Sequence, residues 1–214
     1  MADEISNDGE DAGLPKSVIG AIIVVIVIIA VVIVVTGKSK FEPVDVGTEA
    51  IEFELPDLDG KMVKLSDYRG KVVFLNFWAM WCKPCEAEMP SMQALYESMP
   101  KDKFVVVAVS VDKKSSDIVK KWVEKRNLTF DILHDKRGKI KERYKTTGVP
   151  ETFIIDQNGI VAERVIGERN WSSESNIYTI LDLISNGAQS PEYYKERGKK
   201  RQADKIKMLK EMSK

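Results

Sequence analysis

The chain has 214 residues, room for one ordinary domain with accessory segments, and its apolar fraction of 43% allows a buried core. Its 33 basic and 33 acidic side chains cancel, so the total charge gives no reason to expect nucleic acid as a partner. The two cysteines sit three apart and the only histidine is His134, which argues against both a structural disulfide framework and a zinc site.

In chain order, residues 1–17 form an acidic segment, with Asp3, Glu4, Asp8, Glu10 and Asp11 against Lys16. Residues 18–35 are an uninterrupted apolar run, Val18 to Val35. As a helix this run spans roughly 27 Å, close to the hydrocarbon thickness of a bilayer. A buried strand of that length without turn residues is implausible, so the run predicts a single transmembrane anchor. The acidic flank and the lack of a small-residue cleavage site favour an uncleaved anchor over a signal peptide. Lys38 and Lys40 against Lys16 weakly favour a cytoplasmic domain. Long domains translocate despite such a bias, and an anchored dithiol has its obvious task where disulfides form. The expected place is therefore the extracytoplasmic (periplasmic) side of a bacterial cytoplasmic membrane.

Residues 36–46 read as a linker and residues 47–186 as the main domain. Ile51–Leu55 and Lys61–Leu65 alternate apolar and polar residues around Asp59-Gly60, predicting a β-hairpin. Strands are predicted over Lys71–Phe77, Phe104–Ser110 and Phe130–Leu133. Helices are predicted over Cys85–Met99, Ser115–Arg126 and a segment ending near Tyr144. Thr152–Asp156 and Ile160–Ile166 flank an Asn158-Gly159 turn, and Ser172–Ser185 is a helix ended by Gly187. This order predicts an α/β domain with a mixed central sheet flanked by helices. Residues 187–214 form a basic, weakly helical tail, open to being a solvated helix, a membrane-surface contact or disorder.

The chemistry centres on Trp81-Cys82-Lys83-Pro84-Cys85, where a buried strand gives way to a helix. Residues three apart on a helix bring their Cα atoms within about 5–6 Å, a separation that a disulfide accepts. The helix N-terminus supplies unpaired N–H groups that favour thiolate at Cys82, and Lys83 adds a nearby cation. Pro84 fits the first turn, where its missing N–H costs nothing. Cys82 is thus the expected attacking sulfur and Cys85 the resolving one. The bland alternative is a pair of ordinary buried cysteines. Glu88 lies three residues past Cys85, on about the same helix face, where a carboxylate can relay protons or tune the thiols; taken alone it also reads as a surface residue. Pro150, in Gly148-Val149-Pro150, precedes a strand, and its isomer is open from sequence alone.

The run Val73-Phe74-Leu75-Asn76-Phe77-Trp78-Ala79-Met80-Trp81-Cys82-Lys83-Pro84-Cys85, with Glu88-Met89-Pro90 and Gly148-Val149-Pro150-Glu151-Thr152-Phe153, resembles the TlpA/ResA/CcmG group of membrane-anchored, thioredoxin-like proteins. The resemblance implies a thioredoxin-like fold with an extra N-terminal hairpin and an inserted helix. It implies a cis Pro150 beside the dithiol, with Val149 presenting its backbone to a substrate strand. It also makes Glu88 the acid near the active site, replacing the Asp that thioredoxins carry where this chain has Asn76. Glu151 resembles the pattern of the cytochrome c maturation members. The implied activity is reduction of disulfide-bearing proteins, apocytochrome c or a maturation factor, with electrons from a DsbD- or CcdA-like membrane donor and no cofactor. The alternatives are a thiol oxidase, a thioredoxin-fold binding module without redox turnover, and a peroxidase, for which the cysteine setting is wrong.

Overall fold

The computed structural model describes residues 16–36 and 44–212. The acidic segment before residue 16 and most of the predicted linker lie outside the described residues. The chain divides into two compact units, Met1–Glu42 and Pro43–Lys214.

In the first unit, helix α1 covers Lys16–Thr36. Its side chains are described through Ile29, and those from Val18 onward are exposed. Among the described residues no helix is long and apolar enough to cross a membrane.

The second unit opens with strands β1 (Glu54–Pro56) and β2 (Met62–Lys64), which pair antiparallel. The hairpin is therefore shorter than the sequence alternation suggests, and a bridge from Asp57 to Leu133 ties it to the rest. The main sheet contains β3 (Val72–Trp78), β4 (Phe104–Ser110), β5 (Asp131–His134), β6 (Glu151–Ile155) and β7 (Val161–Ile166). Its order is β5-β4-β3-β6-β7. Strands β3, β4 and β5 are parallel, while β6 and β7 run antiparallel, so the sheet is mixed as expected. The helices are α2 (Lys83–Ser98), α3 (Ser116–Glu124), α4 (Lys139–Arg143), α5 (Glu174–Asn186) and α6 (Pro191–Met212). Between β4 and β6 the chain inserts α3, the edge strand β5 and the short α4.

Every residue of β3 and β4 is buried, as happens when both faces of parallel strands are covered. The period of two divides β3 between two cores. Val72, Phe74 and Trp78 pack with Met89, Leu95, Trp171 and Ile180 on one face. Val73, Leu75 and Phe77 pack with Phe53, Tyr144 and Phe153 on the other. Asn76 takes a place on the first face and is fully buried.

The basic tail is a 22-residue helix, and its first turns dock on this unit. Tyr194 is fully buried, and its hydroxyl donates to Asp156 Oδ2 at 2.9 Å. Asp156 Oδ1 in turn accepts from Asn158 N and Ile160 N in the β6–β7 turn. Arg197 pairs with Asp182 of α5 at 2.9 Å and Arg201 with Glu163 of β7 at 2.6 Å. Gly47 passes so close to α6 that a Cβ there would lie 2.5 Å from the Pro191 carbonyl oxygen. Tyr194→Ala is expected to cost about 3–5 kcal/mol, from the cavity and the lost bond to Asp156. Urea unfolding checks it: an unchanged midpoint would mean that α6 is a passive appendage.

Candidate active site

The site lies at the C-terminal end of β3, beside the point where the parallel half of the sheet meets its antiparallel half. A turn carries the chain from Trp78 into α2. The Asp112 carboxylate holds that turn by accepting from Met80 N at 2.9 Å, and Ser110 Oγ donates to the same oxygen. Cys82 is the N-cap of α2, extended at φ −91° and ψ 103°. Pro84 falls in the first turn of α2, as its missing N–H requires.

Cys82 and Cys85 form a disulfide with a Cα–Cα separation of 5.2 Å, so the site is in its oxidised state. Cys85 N–H donates to Cys82 Sγ at 3.2 Å, an unpaired helix-end donor aimed at the sulfur that would carry charge. Cys82 is 5% exposed and Cys85 fully buried, the ordering expected of an attacking and a resolving sulfur. Trp81 is 68% exposed beside them. The Lys83 ammonium stands in solvent 3.7 Å from Glu86, so its charge is shared with that carboxylate rather than given to Cys82 alone. Arg126 also binds Glu86 and holds its carboxyl below the usual carboxylate range.

On the facing loop, the Val149–Pro150 peptide bond is cis. The Val149 carbonyl oxygen lies 3.4 Å from Cys82 Sγ, and Pro150 O accepts from Gly167 N at 2.9 Å. The Val149 backbone thus sits against the attacking sulfur.

Glu88 is 2% exposed. One carboxylate oxygen accepts from Asn76 Nδ2 at 2.9 Å; the other accepts from Trp171 Nε1 at 3.1 Å and Arg169 N at 3.3 Å. Burial pushes its pKa up to about 7 against the lowering effect of these donors. A cleft of about 590 Å³ is lined by Glu88 together with Ala87, Pro90, Ser91 and Asn170, among others. Asn76 also donates to Thr152 Oγ1 at 2.9 Å, which links β3, α2 and β6.

Glu151 is brought elsewhere. It pairs with Phe77 across β3–β6, whereas Thr152 pairs with Asn76, so the two side chains leave the sheet on opposite faces. Glu151 is fully buried, binds Arg164 at 2.6 Å, and accepts from Thr147 N at 2.8 Å. It fastens the 147–150 loop from the sheet face opposite the Asn76–Glu88 pair. Sequence reading also missed Trp171, whose indole lies 83 positions from its carboxylate partner, and Asp112. No local pattern marks either residue.

Residues 46–164 match the AhpC/TSA family, so α5 and α6 lie beyond the matched segment. Over 132 residues the chain is 42% identical to the thiol-disulfide oxidoreductase ResA of Bacillus cereus, covering 61% of this chain and 75% of that protein. It is 45% identical over 124 residues to ResA of Geobacillus kaustophilus, covering 58% and 71%. Among solved structures, a chain described as a thiol:disulfide interchange protein DsbE from Chlorobium tepidum superposes with a TM-score of 0.58 at 37% identity, covering 66% of this chain and 99% of that one. An exposed lipoprotein thioredoxin of Streptococcus pneumoniae gives a TM-score of 0.52 at 30% identity, covering 64% and 99%.

Proposed function

The chain belongs to the AhpC/TSA family and is a thiol–disulfide oxidoreductase of the ResA/CcmG type, and from that premise we propose that it is a membrane-anchored reductase of protein disulfides on the extracytoplasmic side. The observation that carries the reductive direction is the charge around the sulfurs. A strong oxidant of this fold owes its potential to a stabilised reduced form. Here Lys83, next to Cys82 in the chain, is shared with Glu86, which Arg126 also binds, and Glu88 sits one helical turn past Cys85. With the Lys83 charge shared with Glu86, little positive charge is left to stabilise the dithiolate, which favours giving electrons away.

In the reduced state the Cys82 thiolate attacks one sulfur of the substrate disulfide. A Cys82–substrate disulfide forms, and the other substrate sulfur leaves as thiolate and takes a proton. Cys85, deprotonated, then attacks Cys82; the Cys82–Cys85 bond forms and the second substrate thiol departs. The substrate gains two electrons and two protons, and the protein is left as the observed disulfide. A membrane carrier of the DsbD or CcdA class restores the dithiol. Apocytochrome c or one of its maturation factors is the proposed substrate, on the likeness to ResA and on Glu151 after Pro150. The apolar run Val18 to Val35 supports the anchor.

Equilibration with a thiol redox buffer tests the direction. The expected reduction potential is near the thioredoxin value of about −270 mV, and a potential near about −120 mV would make the protein an oxidase. A reporter fused after Lys214 is expected to be active outside the cytoplasm; activity only inside would overturn the orientation.

A further inference from the structure

The disulfide ties Cys82 to Cys85 in the oxidised protein, but the attack is made by the reduced one, in which that tie is open. Cys82 is then held by the turn that carries it, residues 79–82. Within the turn Cys82 N donates to Ala79 O at 3.1 Å, and just before it Val111 N donates to Trp78 O at 2.9 Å. Asp112, in the loop after β4, reaches the turn with its side chain. Its Oδ2 accepts from Met80 N at 2.9 Å, two residues before the attacking sulfur.

Asp112 is 2% exposed and is itself held in place. Ser110 Oγ donates to the same carboxylate oxygen at 2.9 Å and accepts from Asp112 N at 3.2 Å. The Asp112 carbonyl oxygen lies 2.8 Å from His134 Nε2. A carbonyl only accepts, so Nε2 carries a proton and donates it. His134 ends β5 and is buried, and its Nδ1 lies 3.0 Å from Ser116 Oγ in the first turn of α3. The one histidine of the chain and a buried aspartate are thus committed to a loop that supplies no reacting group.

We propose that Asp112 is a positioning residue for Cys82. By fixing Met80 N–H it keeps the attacking sulfur at the N-terminus of α2, within reach of Cys85, when the disulfide is open. Ser110 and His134 hold Asp112 for that task. This role rests on the dithiol chemistry and is the same for a reductase or an oxidase. Its consequence is thermodynamic. Two sulfurs held in register close their bond at a high effective concentration. When the turn is released the dithiol gains freedom, whereas in the disulfide the S–S bond still holds Cys82. The reduced form is then favoured, and the potential moves in the oxidising direction. A contact that supports both redox states equally leaves the potential where it was.

Equilibration of the full chain with a thiol redox buffer reads that difference. Asp112→Ala is expected to shift the equilibrium about tenfold toward the dithiol, about 30 mV. Asp112→Asn keeps an oxygen for Met80 N and removes the charge, so it should stay within about twofold of the native equilibrium. Urea unfolding of the oxidised and reduced forms is the control for folding. An Asp112→Ala protein that loses stability equally in both forms and keeps the native equilibrium has lost a structural contact only, and overturns the proposal. So does an Asp112→Asn shift as large as that of Asp112→Ala, which assigns the effect to the charge and not to the bond. Should Asp112→Ala not fold, Ser110→Ala leaves Asp112 in place and frees its carboxylate. It is expected to move the equilibrium about threefold in the same direction, and an unmoved equilibrium overturns the proposal as well. The native potential tests the reductive direction and the difference between variants tests Asp112, so either can fail alone.

Discussion

Cys85→Ser is expected to leave Cys82 joined to its substrate as a stable mixed disulfide and to lower turnover by about a thousandfold or more. The attacking sulfur keeps its environment in this variant. It still caps α2, still faces the Val149 carbonyl oxygen and still stands next to the exposed Trp81. What is lost is the buried nucleophile that breaks the intermediate. Serine fits the volume that Cys85 occupies, but its hydroxyl does not attack a disulfide at neutral pH. Cys82→Ser should be equally inactive and trap nothing. Alkylation in cells followed by non-reducing electrophoresis reads both results and identifies the partner by mass. Trapping by Cys82→Ser would reverse the two roles, and full cellular function without either sulfur would make the protein a binding module.

The second large effect concerns Glu88. Its folded pKa of about 7 lies above the ordinary 4.5, so the folded protein holds the proton more tightly than the unfolded chain. Stability from this group is therefore fully present below about pH 4.5, falls as pH rises to about 7, and is level above that. The span is worth about 3 kcal/mol. Glu88→Gln should flatten the slope in that window. The buried Asn76 Oδ1 has no partner, so a flip of the Asn76 amide lets it accept from the new glutamine N–H and preserves the packing. Activity should respond in the same range. With the carboxylate gone, the deprotonation of Cys85 loses its nearby acceptor and turnover near pH 7 should fall about 100-fold. Trp171→Phe keeps an aromatic ring against Phe74 but deletes the indole donor. It should move the activity pKa upward while leaving Glu88 in place. If the pH profile of Glu88→Gln matches that of the native protein, the titrating group lies elsewhere.

Local sequence determined a good deal of this protein. The W-C-K-P-C run at a strand end, the period of two through β3 and the turns at Asp59-Gly60 and Asn158-Gly159 made the α/β architecture and the dithiol legible. Each of these features depends on residues within one turn or one pleat of each other, where geometry follows from the backbone. The comparisons with relatives support the same chemistry. Tertiary structure decided the rest, because it depends on which sheet face a residue leaves from and what the fold brings opposite it. Glu88 becomes a buried, proton-holding carboxylate only when Asn76 of β3 and Trp171 of the β7–α5 loop close over it. Glu151, adjacent to Pro150 in sequence, is sent to the opposite face by the pleat and becomes a fastener of the loop through Thr147. By composition the tail after Gly187 is open to being a solvated helix, a membrane-surface contact or disorder. A single tyrosine, Tyr194, meets a buried aspartate and docks the helix, a match that no window of sequence contains.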